Sequence, residues 1–220
     1  MEIKNFKSFH GKAFLESLIA QGEHEQQDFK FAINDSRKIA RSIAAFANNS
    51  GGRLLVGVKD NGNIAGIRSD EEYYMIEQAA EMYCRPPQKV EQKVYCSEGK
   101  YVLLVDIKKA DKRPVKAQDD EGNYRIYYRV ADENIVAPNI FERIWKSKHK
   151  KGVLLSFSDD EAALLSLIAN EPMTISELVK MLHLSKQKIS DTIVFLCSMQ
   201  LMSPIYIGGK WRFKATIPEE

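Results

Sequence analysis

The order of apolar and polar positions predicts alternating helices and strands. Residues 12–21 place Phe14, Leu15, Leu18 and Ile19 on one stripe, as an amphipathic helix does. Asp28-Phe29-Lys30-Phe31-Ala32-Ile33 alternates like a short strand. A second helix follows, capped by Asp35 or Ser36, with Ile39, Ile43, Phe46 and Ala47 on its apolar face and Arg37, Lys38 and Arg41 opposite. Gly51-Gly52 stops it, because glycine takes a left-handed C-cap conformation without a Cβ clash. Leu54-Leu55-Val56-Gly57-Val58 is an unbroken apolar run, the mark of a strand covered on both faces. Asp60-Asn61-Gly62-Asn63 predicts a tight turn, and Ile64-Ala65-Gly66-Ile67 a short returning strand. Ser69-Asp70-Glu71 opens a third helix that Pro86-Pro87 ends at the latest. Residues 88–108 read as a hairpin turning at Ser97-Glu98-Gly99-Lys100. Beyond Pro114 and an Asp119–Gly122 turn, Tyr124–Val130 interleaves aromatics and arginines along a strand. Because the hairpins are local, the expected fold is α+β: a mixed, mostly antiparallel sheet with flanking helices.

The last third has a separate rhythm. Ser158 starts a helix with acids in its first turn and Ala163, Leu164, Leu167 and Ile168 on its stripe. Thr174 with Glu177 caps a second helix, and Ser185 a third that runs to about Met199 with Ile189, Ile193, Leu196 and Cys197 inward. Ile205–Phe213 then forms a hairpin on Gly208-Gly209. Three helices and a hairpin are the order of a winged helix-turn-helix domain. In that reading Ser185, Lys186, Gln187, Lys188 and Ser190 face a major groove, and Lys210 and Arg212 in the wing reach neighbouring backbone. Such domains also serve as protein-docking modules, which stays open here. The expected division is an α+β domain over 1–150, a linker over 151–157 and the winged helix over 158–220.

Composition narrows the class without choosing a partner. The 220 residues are 44% apolar and 28% charged, as in ordinary globular proteins. No run approaches the roughly 18 apolar residues of a membrane span. The first residues lack a signal-peptide core, and Cys84, Cys96 and Cys197 suggest neither a disulfide framework nor a zinc site. A cytoplasmic protein with reduced thiols is expected. Net charge is +2, but unevenly spread: residues 1–157 hold 26 basic and 22 acidic side chains, residues 158–220 six and eight. His10, His24, His149 and His183 are isolated. The pairs Gly11-Lys12, Gly99-Lys100 and Gly209-Lys210 are not followed by Ser or Thr, so no P-loop and no ATP site are expected.

Two stretches resemble the Schlafen-type AlbA-like domain. One is Asp28-Phe29-Lys30 with Ala45-Phe46-Ala47-Asn48-Asn49-Ser50-Gly51-Gly52 and Leu54–Val58; the other is Arg113-Pro114-Val115 with Tyr124–Val130. The resemblance spans roughly residues 20–137. Bacterial members often carry a C-terminal winged helix and are described as DNA-binding transcriptional regulators. It therefore implies a nucleic-acid partner, DNA foremost, bound by Arg37, Arg41, Lys116, Arg125 and Arg129 together with the winged-helix residues above. A homodimer would suit paired half-sites. No cofactor is expected in that role. Some Schlafen relatives are instead metal-dependent endoribonucleases with a carboxylate triad. The matching residues are Glu23, Asp28 and Asp60, which would hold Mg²⁺ or Mn²⁺. Asp28 is shorter than the usual Glu, and Lys59 opposes a cation. The bland alternatives are a solvated Glu23, an ion-paired Asp28 and a turn-forming Asp60.

Overall fold

The computed structural model describes residues 8–147 and 157–216. The chain divides into two compact units, Met1–Ala137 and Pro138–Glu220. Of the linker expected over 151–157, only Phe157 lies within the described residues.

The first unit runs β1 (Ser8–His10), α1 (Lys12–Ile19), β2 (Gln27–Lys30), α2 (Ser36–Asn48), β3 (Gly52–Val56), α3 (Glu71–Met82), β4 (Cys84–Arg85), β5 (Val90–Ser97), β6 (Lys100–Ile107), β7 (Lys116–Gln118), β8 (Tyr124–Val130) and β9 (Glu133–Ala137). Among the described residues these strands form two sheets. One is five-stranded in the order β1-β5-β6-β3-β2, the other four-stranded in the order β4-β7-β8-β9. β1 with β5 and β2 with β3 are parallel, and the remaining pairs are antiparallel. The mixed, mostly antiparallel character read from the sequence is present, spread over two sheets.

The apolar run in β3 is explained by its two covered faces. Leu54 and Val56 enter the core with α2, whereas Leu55 enters a second core with Leu15 and Leu18 of α1. β6 divides likewise, Leu103 and Val105 to one side and Val102 and Leu104 to the other. α2 contacts strands of both sheets. Its alanines, Ala40, Ala44, Ala45 and Ala47, are all buried and let backbone approach closely. Asp35 caps it by accepting from the Arg37 amide at 2.8 Å. A Cβ on Gly52 would lie 2.3 Å from the Phe46 ring, so the paired glycines and the phenylalanine of the motif belong to one packing solution. Gly57 has φ +94° against the Gly66 backbone, a conformation and a space only glycine fits. The strand expected at Ile64–Ile67 is reduced to one bridge between Val58 and Ile64.

The second unit runs α4 (Ile140–Lys146), α5 (Asp159–Asn170), α6 (Ile175–Leu182), α7 (Lys186–Ser198), β10 (Met202–Ile207) and β11 (Lys210–Ala215). Ser158 with Glu161 and Thr174 with Glu177 form reciprocal capping boxes on α5 and α6. His183 takes the left-handed conformation, φ 54°, which turns the chain from α6 into α7. β10 and β11 pair antiparallel, and Met173, before α6, exchanges backbone hydrogen bonds with Phe213 at 3.0 and 2.8 Å. Leu164, Leu178, Ile189, Ile193, Leu196 and Phe213 fill the core. Trp211 packs on Phe141, with ring centroids 4.6 Å apart.

Candidate functional site

β2 and the loop before it bring Glu23 and Asp28 together, with Asp28 buried and Glu23 half-buried. Asp28 is 3% exposed; Lys30 Nζ lies 2.7 Å from one of its oxygens and Arg129 Nη2 3.5 Å from the other. Glu23 accepts from the Phe29 amide at 2.9 Å. Burial first, then the neighbouring Asp28 carboxyl, push the Glu23 carboxyl above its ordinary value. Asp60 is exposed in its turn. Among the described residues no three His, Cys, Asp or Glu side chains are grouped to hold a metal ion. Asp28 already has two cations as partners, which satisfies its charge and disfavours a third. As folded, these residues do not fit a metal.

The basic residues expected to form one surface are dispersed. Arg129 is 1% exposed: it reaches the Gln27 carbonyl at 3.3 Å and Asn134 Oδ1 at 3.1 Å, and its guanidinium lies 5.0 Å from the Phe46 ring centroid. Its place is therefore interior, not on a binding face. Residues 125, 127 and 129 share one side of β8, and α2 covers that side at Tyr127 and Arg129. Arg37, Arg41 and Arg125 are nearer solvent, but each is ion-paired, with Asp35, Asp120 and Asp119 at 3.3, 2.7 and 3.0 Å. Lys116 is half-buried on β7.

Asn48 and Asn49 of the family-like string have structural work between elements. Asn48 donates to the carbonyls of Val115 and Tyr127 and accepts from the Val115 amide, each at 2.7 Å. Asn49 is the C-cap of α2, and its side chain donates to the Arg129 carbonyl at 3.0 Å. Both asparagines tie α2 to the four-stranded sheet.

On α7, Ser185 caps the helix by accepting from the Lys188 amide at 3.2 Å. Lys186, Gln187 and Lys188 are exposed in the first turn, with Lys188 3.5 Å from Asp160. Gln187 donates to Asp191 at 2.9 Å, and Ser190 donates back to the Lys186 carbonyl at 2.7 Å. Arg143 and then Gln187 hold the Asp191 carboxyl below its usual range. In the hairpin Lys210 is exposed, whereas Arg212 is held by Pro172 and Glu177 at 2.9 and 3.0 Å.

A further cluster has no signal in sequence spacing. β2 ends at Lys30, so Phe31 turns outward to 44% exposure while Phe29 and Ile33 stay buried. Lys59 Nζ and Arg68 Cζ lie 5.5 and 5.1 Å from its ring centroid. Only the fold joins these three positions. The cysteines offer no competing chemistry at Cys84 and Cys197: burial pushes both thiols up to about 12.

The sequence profile of the Schlafen, AlbA_2 family matches residues 23–138, more than half of the chain. The chain belongs to the Schlafen, AlbA_2 family. The Schlafen match runs from Glu23 past the end of β9 and takes in the Asp28–Arg129 pair and both asparagines, but leaves β1 and α1 outside it. No curated protein matches the sequence. Among solved structures, the DIP2311 protein of Corynebacterium diphtheriae is similar at 18% identity and a TM-score of 0.46. That alignment covers 86% of this chain but only 36% of the other. The N-terminal domain of a RecG-related protein of Nitrosomonas europaea is similar at 21% identity and a TM-score of 0.42, over 68% of this chain and 97% of that domain. Among the described residues no helix is long and apolar enough to cross a membrane.

Proposed function

We propose that this Schlafen-family chain is a nucleic-acid-binding protein, and specifically a DNA-binding transcriptional regulator whose second unit is a winged helix. The observation that carries the reading is the first turn of α7, where Lys186, Gln187 and Lys188 are exposed after a left-handed turn from α6. A helix N-terminus so furnished suits the major groove, where it donates to base edges and to phosphates. The Met173–Phe213 hydrogen bonds join the hairpin to the segment before α6, which gives a wing a fixed base with Lys210 at its tip. Membership of a family that includes DNA-binding regulators supports the same reading. The nuclease alternative is less well supported, because Asp28 is neutralised from two sides and Asp60 stands apart in its turn.

Binding to duplex DNA should be driven by phosphate neutralisation and fall steeply with salt. Titrating labelled duplex DNA at several salt concentrations tests this. Changing Lys186 and Lys188 together to Ala should lower the salt slope by about two. An unchanged slope removes α7 from the binding surface.

A further inference from the structure

Most cations described above already have a carboxylate beside them, and a paired cation has less to gain from a phosphate. Lys59 and Arg68 differ: among the described residues neither is ion-paired. Both stand over the ring of Phe31, which is 44% exposed although Phe29 and Ile33 on either side are buried. The arrangement is also held in place. Glu72, 3% exposed on α3, accepts from the Ile33 amide at 3.1 Å through one carboxylate oxygen and from the Arg68 amide at 2.6 Å through the other. One buried carboxylate therefore fixes the segment that follows Phe31 and the residue that carries the guanidinium. The arrangement offers a flat aromatic surface and two cations without carboxylate partners at one exposed place.

From this geometry we propose that Phe31, Lys59 and Arg68 form a stacking site for an unpaired base of single-stranded nucleic acid. The ring and the Arg68 guanidinium plane take the flat face of a base, and Lys59 and Arg68 neutralise the flanking phosphates. The ligand is single-stranded because base faces in a duplex are already covered by their neighbours, whereas every unpaired base offers one. Sequence preference is weak, since stacking reads no hydrogen-bond edge. The proposal rests on the nucleic-acid reading above and adds a second site, on the first unit, with a different substrate class from the duplex assigned to α7.

The test uses the full chain with labelled oligo-dT, oligo-U and a duplex of the same length. Phe31→Ala should weaken single-strand binding about tenfold, the usual scale for loss of one stacking side chain, and leave duplex binding unchanged. Phe31→Trp should keep the affinity, and its added emission should be quenched by single strands and not by duplex. Lys59→Ala and Arg68→Ala should each lower the single-strand salt slope by about 0.7. Tighter binding of oligo-U than oligo-dT, or the reverse, with these signatures supports the site and names its strand. Single-strand affinity untouched by Phe31→Ala, or no quenching in Phe31→Trp, while the duplex still binds, overturns the site and leaves the function standing. Absence of salt-sensitive binding to any of the three overturns both.

Discussion

In the first unit the buried polar side chains include Gln27, Asp28, Asn48, Asn49, Glu72 and Arg129, whereas in the described part of the second unit Thr192 is the buried polar residue. The first unit uses polar groups as internal fasteners: Asn48 across to Val115 just before β7 and to β8, Arg129 across to β2, Glu72 across to two loops. The second keeps its interior apolar and spends its polar groups on helix caps and surface. Where layers of irregular backbone meet, unpaired carbonyls and amides must be satisfied, and side chains do it. A three-helix core has few such groups to satisfy. A polar residue that stands out in the sequence of the first unit is therefore often a fastener, while one in the second is more often available to a partner.

The sharpest way to break this contrast is at Arg129. Arg129→Leu leaves Asp28 buried with one cation fewer and should cost about 3–5 kcal/mol in chemical denaturation. Adding Asp28→Leu should recover much of that, because the uncompensated charge goes too. A double variant no more stable than the single would mean the pair is not the fastener described. Asn48→Ala comes next: it strands buried amide and carbonyl groups of Val115 and Tyr127, at about 1–3 kcal/mol for a buried group left unsatisfied. In the second unit, Thr174→Ala removes a cap at about 1 kcal/mol. Trp145 and Trp211 both lie in that unit, so tryptophan emission reads its unfolding. If Thr174→Ala costs more than Asn48→Ala, the contrast fails.

The smallest effect is a pH dependence at Glu23. The folded carboxyl holds its proton more tightly than the unfolded one, for which 4.5 is ordinary. Its contribution is therefore favourable below that value and is lost as pH rises through the raised one. Glu23→Gln should gain on the parent in melting temperature as pH rises from 4.5 and level off once Glu23 is fully ionised. A difference that narrows with rising pH refutes the direction of the shift.

Much of the fold was legible because it is written locally. Apolar period and caps foretold α1, α2, α3, α5, α6 and α7, and the β5–β6 hairpin carried its own turn at Glu98 and Gly99, both left-handed. β4 and β7 were illegible, being two and three residues long and paired with each other across the whole β5–β6 hairpin, and β9, although it folds straight back on β8, opens on Glu133-Asn134, which carries no strand signal. The candidate sites follow the same division. Exposed Lys186 and Gln187 could be read from helix phase. Arg129 was misplaced because alternation says which side of a strand a residue takes, not whether a helix covers that side. Alternation puts Phe31 on the same side as Phe29 and Ile33, and only the end of the strand at Lys30 turns it out.

The span of the fasteners has a consequence for how the chain is made. Asn48 meets Tyr127 across 79 residues, and Arg129 meets Gln27 across 102. On the ribosome, α2 emerges long before either β7 or β8, and the side it gives to the four-stranded sheet waits with its asparagines unpartnered. Vectorial synthesis therefore cannot complete this unit in stages. It closes when the last strands leave the exit tunnel, and until then part of α2 stays open to chaperones.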